Sequence, residues 1–302
     1  MPERRLLIAG NPAASFGREL GTADRVGELL RREGHEATVL ERRSMQELAA
    51  AASAELHRSR PDAVVVVGGD GMVHAGAQLV AQTDVPLGIV PAGTGNDVAR
   101  GLGIPLRDPG AAVRILLDAL DRPPRRIDAL RAAAGGSPPV WVVGAVSAGF
   151  DALVTERANA MRRPRGASRY TVALVRELAA LRPVRYRLVV DGAPRSADFA
   201  LVSVANNGWI GGGMQIVPGA RLDDGELDLL LVTPVGRLRF LALFPKVFRG
   251  RHTELPMVRL ERARSVRIDA DVPLPAYGDG ERLGVLPLDV EVVPRALRIL
   301  AP

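Results

Sequence analysis

At 302 residues the chain is long enough for two packed domains, and with 47% hydrophobic and 25% charged residues it is not a candidate for extended disorder. It has no cysteine, which excludes disulfides, thiolate-bound zinc and cysteine nucleophiles, and its four histidines (His35, His57, His74 and His252) share no metal-ligand spacing. The formal net charge of +6, arginine throughout except for Lys246, suits an anionic partner such as a nucleotide or a membrane surface. With 4% aromatic residues and no recognisable nucleic-acid module, no nucleic-acid partner is expected.

The first part of the chain alternates strand and helix patterns. Residues 5–9 (RLLIA) read as a short apolar strand, 23–32 as a helix, 36–40 as a strand and the alanine-rich 45–57 as a helix. Residues 63–67 (AVVVV) form a continuous β-branched run, the signature of a strand buried on both faces. Helix 73–82, strand 87–90 and helix 109–120 follow, giving an open α/β sheet with helices on its faces.

From residue 125 the texture changes to strand-like runs at 141–146, 186–190, 199–204, 227–232, 266–268, 288–293 and 297–300, separated by Gly, Pro and Asp turns. Helical stretches near 152–180 and 238–247 interrupt them. The expected architecture is an α/β N-terminal open-sheet nucleotide domain, residues 1–128, followed by a mainly antiparallel β-sandwich C-terminal domain, residues 129–302, whose last strand is a candidate to return to the first domain. No apolar run approaches the ~20 residues of a membrane-spanning helix, and no secretory leader is recognised, so a cytoplasmic location is expected.

Three loops sit where a strand's C-terminal end meets a helix, the usual ligand edge of an open α/β sheet. They are Asn11-Pro12-Ala13-Ala14-Ser15-Phe16-Gly17-Arg18, then Gly68-Gly69-Asp70-Gly71-Met72-Val73-His74, then Pro91-Ala92-Gly93-Thr94-Gly95-Asn96-Asp97-Val98-Ala99-Arg100. Glycines let backbone approach a polyphosphate, and the following helix offers free N–H groups. Asp70 and Asp97 repel phosphate, so they suit holding the hydration shell of Mg²⁺ or orienting a nucleophile. A single glycine turn is often only a tight turn; three at one sheet edge point to a phosphate ligand. Neither a Walker A motif nor a Rossmann G-x-G-x-x-G occurs.

On NPAASFG, GGDGM and PAGTGND the sequence resembles the diacylglycerol kinase catalytic-domain family, in its bacterial lipid-kinase branch. The likeness continues in order through Ser147-Ala148-Gly149-Phe150-Asp151-Ala152, through Asn206-Asn207 with Gly211-Gly212-Gly213, and through residues 218–227 (PGARLDDGEL). It ends with Asp279-Gly280-Glu281 and the Pro294-containing tail.

The resemblance implies ATP and Mg²⁺ as cofactors and a lipid alcohol such as diacylglycerol as acceptor. It places Asn11, Pro12, Ala13, Ala14, Ser15, Gly69, Asp70, Gly71, Met72, Val73, His74, Ala75 and Thr94 around ATP, together with Gly93, Gly95, Asn96 and Asp97 of the same loop as Thr94. It makes Asp279 or Glu281 the general base, and gives a structural Mg²⁺ to Asp224 with the backbone carbonyls of Arg221 and Glu226. Asp128 stands where the family often keeps an acid. Met72 replaces the family's threonine, and His74 and Ala75 its usual Asn and Glu. A bare Asp-Gly-Glu is by itself only a solvated turn; its company of two phosphate loops gives it a catalytic reading.

Two alternatives stay open: a kinase for a soluble or isoprenoid-type alcohol, and a nucleotide- or lipid-binding protein without turnover. A bilayer substrate implies docking on the inner membrane face without a spanning segment. Arg18, Arg162, Arg163 and Arg165 are the expected substrate- and membrane-side cations. A second segment, 237–251 (RLRFLALFPKVFRGR), has the apolar and basic composition for docking, but its stripe serves equally well to pack a helix on the sandwich. Nothing selects an oligomeric state, and a homodimer is allowed.

Overall fold

A computed structural model describes residues 2–11, 21–42, 44–161, 163, 168–242 and 244–302. The chain divides into two compact units, Met1–Asp128 with Arg295–Pro302, and Ala129–Pro294.

In the first unit the elements run β1 (Arg5–Gly10), α1 (Thr22–Arg32), β2 (Glu36–Glu41), α2 (Met45–Ser59), β3 (Ala63–Gly68), α3 (Asp70–Val80), β4 (Leu87–Pro91), α4 (Asp97–Gly101) and α5 (Pro109–Leu120), and β5 (Arg125–Ala134) leaves it. The strands are parallel in the order β2-β1-β3-β4. All six residues of β3 are buried, as a strand covered on both faces requires. Local chemistry sets the helix starts. Ser44 caps α2 by accepting from Glu47 N–H, and Asp108 caps α5 by accepting from Ala111 N–H, with Pro109 in the first turn. The chain's last residues return to this unit, where Ile299 and Leu300 pair in parallel with Leu87 and Gly88. Asp128, buried, fixes that return by accepting from Arg295 N–H at 2.7 Å.

The second unit contains β6 (Val140–Val142), β7 (Ala145–Ser147), α6 (Phe150–Ala160), α7 (Ser168–Ala180), β8 (Val184–Val190), β9 (Ala193–Phe199), β10 (Leu201–Ala205), β11 (Trp209–Ile210) and β12 (Met214–Gln215). It continues through β13 (Leu227–Val232), α8 (Arg237–Leu241), α9 (Phe244–Val247), β14 (Val258–Ala263), β15 (Ser265–Ala270), β16 (Pro275–Gly278), β17 (Glu281–Val285) and the start of β18 (Leu288–Leu300). One antiparallel sheet runs β14-β13-β10-β7-β16-β17, and a second carries β9-β8-β15 and the first part of β18. Tyr186, Leu188, Val202, Val204, Leu229, Leu231, Ile268 and Leu288 fill the space between the sheets. The opposite face of the first sheet is also covered: Ala205, Leu230 and Val232 pack with Phe150, Val154, Ala173, Leu178 and Phe240 of the helices. Leu227–Val232 is therefore apolar at nearly every position because it is buried on both faces. The architecture is the expected one, an open α/β sheet and an antiparallel sandwich.

Several boundaries differ from the sequence reading. α3 begins at Asp70 rather than at 73, because Met72 and Val73 N–H already bond to Gly69 carbonyl. The helical stretch 152–180 is two helices, and 238–247 is two short ones. The run 141–146 breaks at Val143 and Gly144, whose amides leave the ladder for a carboxylate described below. The runs 288–293 and 297–300 are one strand, β18, with Arg295 in left-handed conformation (φ 55°).

Candidate active site

In the first unit two of the three glycine loops interlock. Gly93 lies so close to Gly69 that a Cβ on it would come within 2.3 Å of the Gly69 α-carbon. Only glycine permits that approach. Asn96, buried and left-handed (φ 54°), clamps Gly93 from both sides: its Oδ1 accepts from Gly93 N–H at 3.0 Å and its Nδ2 donates to Gly93 carbonyl at 2.8 Å. Arg100 donates to Gly95 carbonyl and lies 3.6 Å from the Asp97 carboxylate. Asp70 Oδ1 accepts from Val98 N–H at 3.0 Å, so the acid of one loop satisfies the first turn of the helix that follows the other. Thr94 is exposed at the loop tip.

Met72 is buried rather than turned outward; its Cγ occupies the space a Cβ on Gly68 would need. The position that carries a hydroxyl in the family pattern is here a packed core side chain. Gly71, His74 and Ala75 are partly buried in the first turns of α3, and Val73 is buried. Asn11 donates to Met45 Sδ. Pro12, Ala13, Ala14, Ser15 and Arg18 lie outside the described residues, as do Arg162 and Arg165; Arg163 is exposed.

In the second unit, Asp279 and Gly280 form the two-residue turn between β16 and β17, both at positive φ (51° and 86°), with Gly278 paired to Glu281. That is the type I′ hairpin for which Asp-Gly is suited. The Asp279 carboxylate accepts from Val143 N–H at 2.9 Å and Gly144 N–H at 2.7 Å, and its own N–H bonds Ala145 carbonyl. Asn206, buried, joins the network by donating to Val143 carbonyl, and its N–H bonds Gly144 carbonyl. Asp279 is therefore held by backbone amides, whereas Glu281, two residues on, is exposed.

The acids expected at the metal form a different cluster. Asp224 Oδ1 accepts from Glu226 N–H, and its Oδ2 makes a close ion pair with Arg262. The same guanidinium lies 2.9 Å from Glu226 and 3.9 Å from Asp228, its cross-strand partner on β13. Burial pushes the Asp228 carboxyl up to about 6, against the pull of Arg262. The Arg221 side chain pairs with Asp223 at 3.4 Å. Both Asp224 oxygens are thus engaged, one by the Glu226 N–H and one by the Arg262 guanidinium. Among the described residues no group of three or more His, Asp or Glu side chains is arranged to hold a metal.

One acid was not singled out in the sequence. Asp151, at the start of α6, is pushed up to about 6 by burial, although Ser147 and Ser203 hydroxyls and the Ala152 N–H favour its charged form. Tyr186 lies near it, its hydroxyl raised by burial and donating to Ala148 carbonyl. Only its place in the Ser147–Ala152 motif signalled it.

Residues 5–131 match the family described as diacylglycerol kinase catalytic domain, and residues 144–301 match the YegS C-terminal NAD kinase beta sandwich-like domain. A Mycobacterium tuberculosis protein named diacylglycerol kinase is 42% identical over 80% of this chain and 77% of its own length. A Chromohalobacter salexigens protein named "Probable lipid kinase YegS-like" is 31% identical over 79% of this chain and 76% of its own. The crystal structure of a diacylglycerol kinase from Bacillus anthracis covers 100% of this chain and 98% of that one with a TM-score of 0.72; at 20% identity it speaks for the fold. These likenesses define a two-unit kinase-type chain with a glycine-loop unit and a sandwich unit. The chain belongs to the diacylglycerol kinase family, in the branch that carries the YegS-type C-terminal domain.

Proposed function

We propose that the protein is an ATP-dependent kinase that transfers the γ-phosphate to the hydroxyl of a lipid alcohol such as diacylglycerol, with Glu281 as general base. One observation carries the assignment of the base. Asp70, Asp128 and Asp279 accept backbone N–H groups, Asp97 faces Arg100, and Asp224 is bound to Arg262, while Glu281 is exposed beside a turn that Asp279 holds rigid. A base must reach the acceptor's proton, and Glu281 is the motif acid in a position to meet a substrate.

The roles divide accordingly. The interlocked loops of Gly69 and Gly93 form a backbone cradle for the nucleotide phosphates, with the exposed Thr94 hydroxyl at its tip, and the acids behind them fix its shape. Mg²⁺ bound with the nucleotide would supply charge neutralisation for the transferring phosphoryl group. No step is assigned to a metal at Asp224. Glu281 takes the hydroxyl proton onto a carboxylate oxygen as the acceptor oxygen attacks the γ-phosphorus, the bond from that phosphorus to the β–γ bridging oxygen breaks and ADP leaves, and Asp279 positions the hairpin without touching substrate.

The protein incubated with γ-labelled ATP, Mg²⁺ and a total lipid extract should place label in a lipid phosphomonoester. Label released only as inorganic phosphate, or found only in a water-soluble alcohol, would overturn the reading.

A further inference from the structure

We propose that the helical layer of the second unit is a docking face for an anionic lipid bilayer, seated through Leu238, Leu241 and Phe248 and the cations around them. α8 is fixed from below: Phe240 is buried, edge-on to Phe150 at 4.8 Å and 6.1 Å from Phe244. That anchoring leaves the other side of the segment outward. Leu238 is 84% exposed, Phe248 53% and Leu241 44%. α7, which packs beside α8, adds Tyr170 at 41% and Val175 at 58%. These five are more than half of the nine large apolar side chains exposed among the described residues, so exposed apolar surface is concentrated on this helical layer.

The charges select the occupant. Arg237, Arg239, Lys246, Arg249 and Arg251 are all exposed, and no acid occurs from residue 234 to residue 253. Among the described residues only Arg251 of these five has an ion-pair partner, Glu254 at 3.6 Å. Several arginines on the sandwich of this unit are matched by acids: Arg185 with Asp198, Arg187 with Asp269 and Asp271, Arg195 with Glu261, Arg267 with Asp289, and Arg282 with Glu156. Cations left without acids beside outward leucine and phenylalanine match an interface that is anionic at its surface and apolar just beneath it. The segment thus does both jobs its composition allowed: Phe240 and Phe244 pack on the sandwich, and the outward side chains dock.

The proposal rests on the lipid-kinase reading for its purpose, but its test needs neither nucleotide nor acceptor. Co-sedimentation of the full chain with phosphatidylcholine vesicles containing phosphatidylglycerol should be strong, should weaken with added salt, and should be slight with phosphatidylcholine alone. Each basic residue near an anionic surface is worth about fivefold in binding, so Arg239→Glu with Arg249→Glu should weaken it by at least about twentyfold. Leu238→Ser with Phe248→Ser should also weaken it. Val272→Ser, at a side chain 46% exposed but outside the helical layer, should not. All variants should phosphorylate a short-chain, water-soluble acceptor at the wild-type rate. Undiminished vesicle binding in both double variants, no binding by wild type, or loss of a dimer in place of vesicle binding would overturn the docking face and leave the kinase reading standing. Absent phosphorylation with intact vesicle binding would overturn the kinase reading alone.

Discussion

In the first unit the acids of the glycine loops are turned inward, each against a neighbour's backbone or side chain: Asp70 on Val98 N–H, Asp97 on Arg100. In the second unit the hairpin splits its two acids, one onto the amides of Val143 and Gly144 and the other into solvent. The difference teaches that a motif acid can serve shape as readily as chemistry. On the proposed reading shape is the whole contribution of the loop acids, since a phosphate cradle is made of backbone and wants no negative charge at its surface. In the hairpin a single turn supplies a structural acid and, two residues later, the acid proposed as the base.

The largest break in this comparison comes from the cradle itself. Gly93→Ala brings a Cβ against the Gly69 α-carbon, a backbone contact that no rotamer change relieves. A loss of about 3 kcal/mol in urea unfolding is expected, together with loss of measurable nucleotide binding by calorimetry. Wild-type stability in this variant would mean the two loops do not interlock.

Asp279→Ala tests the structural half of the hairpin. It strips two backbone N–H groups of a charged acceptor, and should lower stability by about 2 kcal/mol, with β6–β7 amides exchanging faster with solvent. Unchanged exchange at Val143 and Gly144 would remove the positioning role.

Asp151 gives a smaller and pH-dependent effect. Its folded pKa of about 6 lies above the ordinary 3.8, so between these values the folded chain keeps a proton that the unfolded chain has released. Stability therefore falls as pH rises through that window and levels off above it. Asp151→Asn has no charge to bury, and should match wild type near pH 4 and exceed it by about 3 kcal/mol above pH 6.5. An equal difference at both pH values would show that burial does not raise this carboxyl.

What the sequence revealed follows from the range of the interactions. The two described glycine loops, the Asp-Gly turn and the buried strands are local patterns, and all were legible; so was the fold class. The partners were not. Asp279 meets amides more than 130 residues away, and the break at Val143–Gly144 makes sense only once that contact is seen. Arg262 came to the Asp224 cluster through the antiparallel register of β13 and β14, which pairs it with Asp228. No spacing along the chain marks it. Met72 read as a lost hydroxyl beside phosphate, yet its burial follows from helix α3 starting at Asp70, which turns that side chain over Gly68.

The central claim is that Glu281 removes the acceptor's proton while Asp279 holds the turn. The most direct test measures kcat for lipid phosphorylation and thermal stability on Glu281→Gln in parallel. The account predicts a fall in kcat of at least about 10²-fold with ATP affinity and melting temperature unchanged. Wild-type turnover by Glu281→Gln would contradict it.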